Sequence, residues 1–274
     1  GNGVLLACID SGVDYAHPDF CAPDGTSRIA ILWDQTIPGN PPMGYALGSV
    51  YTRQQINEAL ASSTPEERFA LVPSRDVTGH GTAVLGIAAG NGRSSADAAM
   101  RGVAPEATLV VVKLGNPDPA DLPRTSQLLQ AVDFCVRYAL LVERPLVINL
   151  SFGNNYGSHS GDSLLETYLN AVSNLGQNVI CIGAGNEGDT GRHYTGNLKS
   201  DRKSSGQTQT VRATSDPAAT SAVSATADRA VSVEFQVGAY ESSFSLQIWK
   251  VYGDEISIEL ISPRGIRSGT LSPV

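Results

Sequence analysis

The sequence predicts an α/β protein with a parallel sheet and helices on both faces. Four short apolar runs, residues 4–9, 107–114, 146–150 and 178–183, are typical of strands buried on both sides. Helical segments separate most of these runs, and strands that alternate with helices indicate βαβ units. Hydrophobic residues make up 41% of the 274-residue chain, which is therefore long enough to bury a full core.

The helical segments are identified by their composition and by the spacing of their apolar residues. Residues 52–61 have a helical composition, and residues 82–89 are a run of small and apolar residues that suits a buried helix. Within residues 125–142 the apolar side chains recur every three or four positions, the period of an amphipathic helix. Residues 161–175 predict a further helix, whereas the Pro- and Gly-rich residues 33–51 predict a long loop.

The pattern changes after about residue 190. Residues 196–229 are polar and rich in Ser, Thr and Ala, which predicts a linker or a mobile segment. Apolar residues in 230–263 alternate with a period of two, which predicts half-buried antiparallel strands. We therefore expect an α/β module over residues 1–195 and a separate antiparallel module over residues 230–274.

Charge and composition exclude several classes of function. A net charge of −8 and a pI of about 5.0 argue against nucleic acid as a partner. No apolar stretch approaches the roughly 18 residues that span a bilayer, so no membrane partner is predicted. Cys8, Cys135 and Cys181 lie in apolar runs and are predicted to be small buried side chains. Without a CxxC pair, neither a zinc nor a redox site is expected, and no cofactor is predicted.

Three polar residues occupy positions that suit a catalytic site. Asp10 follows the first predicted strand, His80 stands between two glycines at a helix start, and Asn186 lies in a glycine-rich turn. Ligands of open parallel sheets bind beyond the carboxyl ends of the strands. A buried carboxylate can hold a histidine base in one tautomer, and an amide can stabilise an oxyanion. Taken singly, each is also an ordinary helix-start or turn residue.

An ordered set of motifs resembles the subtilisin-like serine proteases, and together they cover roughly residues 1–195. The motifs share family-type residues in family order and are residues 9–12 (IDSG), 79–82 (GHGT), 102–105 (GVAP), 149–153 (NLSFG) and 184–188 (AGNEG). The resemblance implies a subtilisin-like fold in which Asp10 orients His80, the general base and acid. It also implies that Asn186 stabilises the oxyanion.

The same resemblance assigns Ser151, Phe152, Gly153 and Gly185 to substrate binding, through pairing with an extended peptide. Asp76, four residues before His80, is a further candidate for lining the substrate pocket. The calcium-binding loop of many relatives is not recognisable in residues 91–101, although Asp19 matches one family carboxylate, so no metal site is expected.

Residues 32–37 and 51–60 resemble the long insertion of the Csp-type subtilases of spore-forming clostridia. That subfamily carries a β jelly roll between the oxyanion Asn and the catalytic Ser, and residues 230–274 resemble the start of it. The resemblance implies limited proteolysis of a protein zymogen, such as the cortex hydrolase of germination, in the spore or outside the cell. The expected partners are a protein or peptide substrate and the chain's own propeptide.

The family nucleophile, in a Gly-Thr-Ser-x-Ala-x-Pro type motif, is not found, and neither Ser221 nor Ser272 has a matching context. We therefore expect a fragment whose nucleophile lies outside this chain. One alternative is a pseudoprotease that serves as a binding or signalling scaffold, and another is an unrelated α/β binding protein. A jelly roll that follows the protease, as in convertase-type relatives, is disfavoured because no suitable Ser precedes it.

Overall fold

The computed structural model describes residues 1–115, 123–153, 156–186, 188, 194–195, 210–213, 232–238, 240, 242–250, 252–253 and 255–271. The chain divides into two units. The first comprises Gly1–Asn154 and Asp162–Arg192, and the second comprises Asn155–Gly161 and His193–Val274. The division at residue 192 lies close to the predicted module end at residue 195, and the roles of the predicted modules stay predictions.

Six strands of the first unit form one sheet. They are β1 (Leu5–Asp10), β2 (Ile29–Asp34), β3 (Ser49–Thr52), β4 (Thr108–Lys113), β5 (Leu146–Leu150) and β6 (Asn178–Ile182). Their order is β3-β2-β4-β1-β5-β6, and every neighbouring pair is parallel except β2 with β3. The predicted α/β fold is confirmed, because the four apolar runs are β1, β4, β5 and β6.

Among the described residues, five α-helices accompany the sheet: α1 (Arg53–Leu60), α2 (Pro65–Leu71), α3 (His80–Ala89), α4 (Thr125–Leu141) and α5 (Leu164–Asn174). Successive residues of β1 point to opposite faces of the sheet. Leu5, Ala7 and Ile9 pack with α4 and α5 in one core, whereas Leu6 and Cys8 pack with α1 and α3 in the other. Helices therefore cover both faces, as predicted.

The structure differs from the prediction of a long loop over residues 33–51. β2 ends at Asp34 and β3 begins at Ser49, so only the residues between them form the connection. Because the prolines and glycines of this stretch predict a loop, the strand ends on either side of it were not recognised from the sequence. Helix α2 was also not predicted, although Thr64 and Glu67 form a capping box that marks its start.

The second unit contains two described strands, β7 (Thr210–Ala213) and β8 (Ser232–Phe235), which pair in parallel. The prediction of antiparallel pairing is wrong for β8, and residues 243–250 form no strand. An alternating pattern reports that one face is buried, but not the direction of the partner strand. Antiparallel bridges join Ile258 to Leu271 and Ile261 to Arg267. The jelly roll stays a prediction.

All four cysteines are free thiols, and three of them are buried. The prediction that Cys181 is buried is wrong, because β6 is the last strand of the sheet and its residues 179, 181 and 182 are exposed. Burial raises the pKa of the Cys8 and Cys135 thiols, which keeps both of them protonated at neutral pH. Across the described part of the chain, no helix has both the length and the apolar character to cross a bilayer.

One half-buried arginine joins three segments beside the core of α1 and α3. The guanidinium of Arg28 donates hydrogen bonds to the carbonyls of Asp19 (2.9 Å), Ala89 (2.7 Å) and Ala107 (3.0 Å). These carbonyls belong to the short 3-10 helix Pro18–Phe20, the end of α3 and the residue before β4. The Asp19 carbonyl also accepts a hydrogen bond from the N–H of Asn91 at 3.1 Å. Ala89 and Ala107 are buried, so their carbonyls rely on the donors that Arg28 supplies.

We expect Arg28→Met to lower the free energy of unfolding by about 2–4 kcal/mol, because buried carbonyls lose their donor. Urea denaturation followed by circular dichroism measures this change. The control is Arg101→Met, which removes an exposed arginine and should change stability by no more than about 0.5 kcal/mol. Equal effects of the two substitutions would contradict the structural role of Arg28.

Candidate active site

Asp10 is the last residue of β1 and lies at the carboxyl edge of the sheet. Its side chain is only 4% exposed, and its Oδ1 accepts a hydrogen bond from the backbone N–H of Ser11 at 2.7 Å. Its other oxygen, Oδ2, is buried and receives no hydrogen bond within the described part of the chain. A buried carboxylate with so few donors favours a cationic partner at close range.

His80 is that partner. Its Nδ1 lies 2.7 Å from Oδ1 of Asp10, whereas 54% of the His80 side chain is exposed. The hydrogen bond to Asp10 and the charge of Asp10 raise the pKa of His80 above its ordinary value, and partial burial opposes this only weakly. The pair therefore combines a shielded carboxylate with an imidazole that a substrate can reach.

Glycines allow the two segments to meet. Gly79 is the N-cap of α3 and has a positive φ of 76°, which lets the chain turn sharply into His80. A Cβ on Gly81 would lie 2.2 Å from the carbonyl oxygen of Gly12, so only glycine permits this approach. The Gly-His-Gly pattern thus reflects close backbone contact beside the histidine.

An open cleft of about 340 Å³ lies in front of the pair. It is lined by Asp10, Ser11, Thr78, His80, Leu114, Pro123, Ser151 and Phe152. The structure therefore brings together Asp10 and His80 with Ser151 and Phe152, four residues that the sequence singled out. Ser11, Thr78 and Leu114 are additional cleft residues, and Ser11 could have been found because it directly follows Asp10.

The other candidate residues lie at the ends of β5 and β6. Gly153 is exposed and lies two residues after Ser151. The Oγ of Ser151 accepts a hydrogen bond from the Asn149 side chain at 2.9 Å. Gly185, with a φ of 91°, and the exposed Asn186 follow β6, but neither lines the cleft. Because β1, β5 and β6 are parallel, all these residues share the carboxyl edge of the sheet.

Asp76 does not line the cleft, contrary to the sequence-based hypothesis. Its carboxylate instead accepts hydrogen bonds from Ser11 and Thr82, which flank Asp10 and His80. Ser221 and Ser272, which the sequence analysis considered as nucleophiles, lie outside the described residues.

Metal-ligand geometry is also absent from the part of the chain that the structure describes, where no three His, Cys, Asp or Glu side chains converge. Asp19 directs Oδ1 to the backbone N–H of Ser94 at 2.7 Å. The guanidinium of Arg93 donates to the carbonyls of Cys21 and Ala22 in the same region. The charged side chains of this region therefore bond to the backbone of the protein.

Comparison with known proteins places this site in context. Residues 1–259 match the Subtilase family, Peptidase_S8. The chain is 29% identical over 190 residues to the major intracellular serine protease of Bacillus subtilis (strain 168), covering 69% of this chain and 44% of that protein. It is 27% identical over 204 residues to the PI-type proteinase of Lactococcus lactis subsp. cremoris, covering 70% of this chain and 10% of that protein.

Among solved structures, the chain resembles the CspB protease of Clostridium perfringens with 35% sequence identity and a TM-score of 0.61. That match covers 69% of this chain and 37% of the CspB chain. The chain thus spans less than half the length of each of these three proteins.

We expect Gly81→Ala to lower the free energy of unfolding by roughly 2 kcal/mol or more, because the new Cβ would strike the Gly12 carbonyl. It should also lower the pKa of His80 by loosening its contact with Asp10. The control is Gly86→Ala in the same helix, where a Cβ meets no atom within 4 Å. That change should be neutral or stabilising by up to about 1 kcal/mol. Equal tolerance of both alanines in thermal unfolding would refute the close approach.

Proposed function

Because the chain belongs to the subtilase family, we propose that it carries the Asp–His part of the catalytic site of a subtilisin-type serine endopeptidase. The observation that carries this proposal is the 2.7 Å contact between Nδ1 of His80 and Oδ1 of Asp10. This contact lies in an open cleft at the carboxyl edge of a parallel sheet, where ligands of such sheets bind.

The pair suits proton transfer in both directions. Asp10 accepts a hydrogen bond from Nδ1–H, so the neutral imidazole keeps a free lone pair on Nε2. Nε2 then removes the proton of a serine hydroxyl as the oxygen attacks the peptide carbonyl. The resulting imidazolium is stabilised by Asp10, and it returns the proton to the amine that leaves. The raised pKa of His80 reflects the same stabilisation of the imidazolium by Asp10 in the free protein.

The nucleophile is proposed to lie outside this chain. Helix α3 is almost entirely apolar, yet only Gly81, Leu85 and Ala89 are buried, and Ile87 is 74% exposed. Apolar side chains of the edge strand β6 are exposed as well, with Ile182 at 58%. Exposed apolar surface on α3 and β6 favours a covering segment, and we propose that this segment of the full-length protein carries the serine.

Substrate is proposed to bind as an extended strand beside Ser151, Phe152 and Gly153, which continue β5 into the cleft. Asn186 is proposed to donate its amide to the oxyanion, with Gly185 giving the turn that exposes it. The exposure of Asn186 supports this role because its amide is accessible to a bound molecule.

The proposed substrate is a protein zymogen that is cut at a limited number of sites. This part of the proposal rests on the similarity to the CspB protease of Clostridium perfringens and on the resemblance of residues 32–37 and 51–60 to Csp-type subtilases. The chain's own propeptide is a second proposed ligand of the cleft, because it would present an extended peptide in the same way.

A fluorophosphonate probe tests the proposal, because it labels a serine that a histidine base activates. We expect the full-length gene product to be labelled on a serine outside this chain, and His80→Ala to abolish the labelling. The chain alone should remain unlabelled. Label on Ser221 or Ser272 would contradict a nucleophile outside the chain. Absence of label on a folded full-length protein would instead indicate a pseudoprotease.

The pH dependence of labelling should follow His80. Only the neutral imidazole is a base, so the rate should rise with pH through the raised pKa of His80 and level off above it. Asp10→Asn should lower the plateau by about 10⁴-fold and move the acidic limb to lower pH, since the imidazolium loses its carboxylate. An unchanged acidic limb in Asp10→Asn would show that another group controls the reaction. Asp24→Asn, at an exposed carboxylate, is the matched control.

A further inference from the structure

The carboxylate of Asp76 accepts five hydrogen bonds. Its donors come from both sides of the catalytic pair. They are Ser11 Oγ (2.8 Å), Thr78 Oγ1 (3.3 Å), Gly79 N–H (2.9 Å), Thr82 N–H (2.9 Å) and Thr82 Oγ1 (2.7 Å). One carboxylate therefore connects the turn after β1 to the first turn of α3.

The connected residues are the immediate neighbours of the catalytic pair. Ser11 follows Asp10, and its Oγ also accepts a hydrogen bond from the N–H of Gly81 at 3.0 Å. Thr82 lies two residues after His80, and its Oγ1 accepts a hydrogen bond from the N–H of Asp14 at 2.9 Å. A displacement of either segment would therefore strain several of these bonds before it separated Asp10 from His80.

Asp76 also replaces the missing cap of α3. The N-cap residue Gly79 has no side chain, and its N–H and that of Thr82 both donate to Asp76. A carboxylate is favourable at this end of a helix, where unpaired N–H groups carry partial positive charge. Burial opposes ionisation of Asp76, but the bonds from Thr82, Ser11 and Gly79 outweigh it and lower the pKa of the carboxyl.

The segment that carries Asp76 is fixed by polar contacts to residues of β2 and β4. Ser74 donates to Oδ2 of the fully buried Asp34 at 2.6 Å. The ammonium of Lys113 donates to the carbonyl of Arg75 at 2.6 Å and lies 3.9 Å from Asp34. Arg75 itself stacks on the ring of Phe69 at 3.7 Å. The position of Asp76 is therefore set by β2 and β4, independently of the helix that it caps.

We propose that Asp76 is a positioning residue, which holds Asp10 and His80 in register and places a second negative charge near the imidazole. The proposal rests on the proposed function of His80 as a general base. Asp10 and Asp76 are the charged groups that act on the ring, and both favour its protonated form. Ser11 and Thr78 are the uncharged polar groups beside it. Asp76 thus acts on catalysis through His80 without touching substrate.

The test is an NMR titration of the His80 ring in this chain, with the signal assigned by its loss in His80→Asn. We expect Asp76→Asn to lower the pKa of His80, because a stabilising charge is removed. The matched control is Asp24→Asn, since Asp24 likewise accepts bonds from the N–H (2.9 Å) and Oγ1 (2.7 Å) of one threonine, Thr26. The control should leave the His80 titration unchanged. A folded Asp76→Asn chain with an unchanged titration would overturn the proposal.

A second variant, Ser11→Ala, keeps both carboxylates and removes only the hydrogen bonds of the Ser11 hydroxyl to Asp76 and Gly81. We expect the His80 Nδ1 proton to exchange with water faster in Ser11→Ala than in the unaltered chain. In the full-length protein, Ser11→Ala and Asp76→Asn should each slow fluorophosphonate labelling by about 10- to 100-fold. Unchanged proton exchange in Ser11→Ala would overturn the positioning role, even if Asp76→Asn did not fold.

The two proposals fail separately. The titration and proton exchange require no peptidase activity, so they test the role of Asp76 even in a pseudoprotease. Absence of fluorophosphonate labelling in the unaltered full-length protein would count against the proposed function, but not against the role of Asp76.

Discussion

The approach of Gly81 to the carbonyl of Gly12 is the constraint on which the rest of the site depends. Asp10 and His80 are 70 residues apart, and their side chains meet because these two backbones come into direct contact. No side chain fits between them, so glycine at position 81 is a geometric requirement. The hydrogen bonds of Ser11 and Asp76 then hold the contact in one register.

The sheet explains why this contact forms at its carboxyl edge. β1 is buried along its whole length. The five residues before Asp10 pack into the two cores, and this packing fixes the register that brings Asp10 to the edge of the sheet. Its neighbours β4 and β5 deliver Leu114 and Ser151 to the same cleft. The apolar interior thus supplies the rigidity, and the polar residues that follow each strand supply the chemistry.

Much of this was accessible from sequence. Apolar runs identified β1, β4, β5 and β6, because strands buried on both faces have few polar residues. Local patterns could not reveal that the edge strand β6 leaves Cys181 exposed, since burial depends on what covers a strand. They also could not show which way β8 pairs. Asp76 was a candidate for lining the pocket because it lies four residues before His80, but distance along the sequence does not reveal where a carboxylate points.

The most direct test of the account is a crystal structure of the full-length protein after reaction with a phosphonate inhibitor. The account predicts a modified serine from outside this chain, within hydrogen-bonding distance of Nε2 of His80. It further predicts that the Asn186 amide donates to the phosphonyl oxygen, while Nδ1 of His80 keeps its bond to Asp10. A modified serine remote from His80, or a phosphonyl oxygen held without Asn186, would contradict the account.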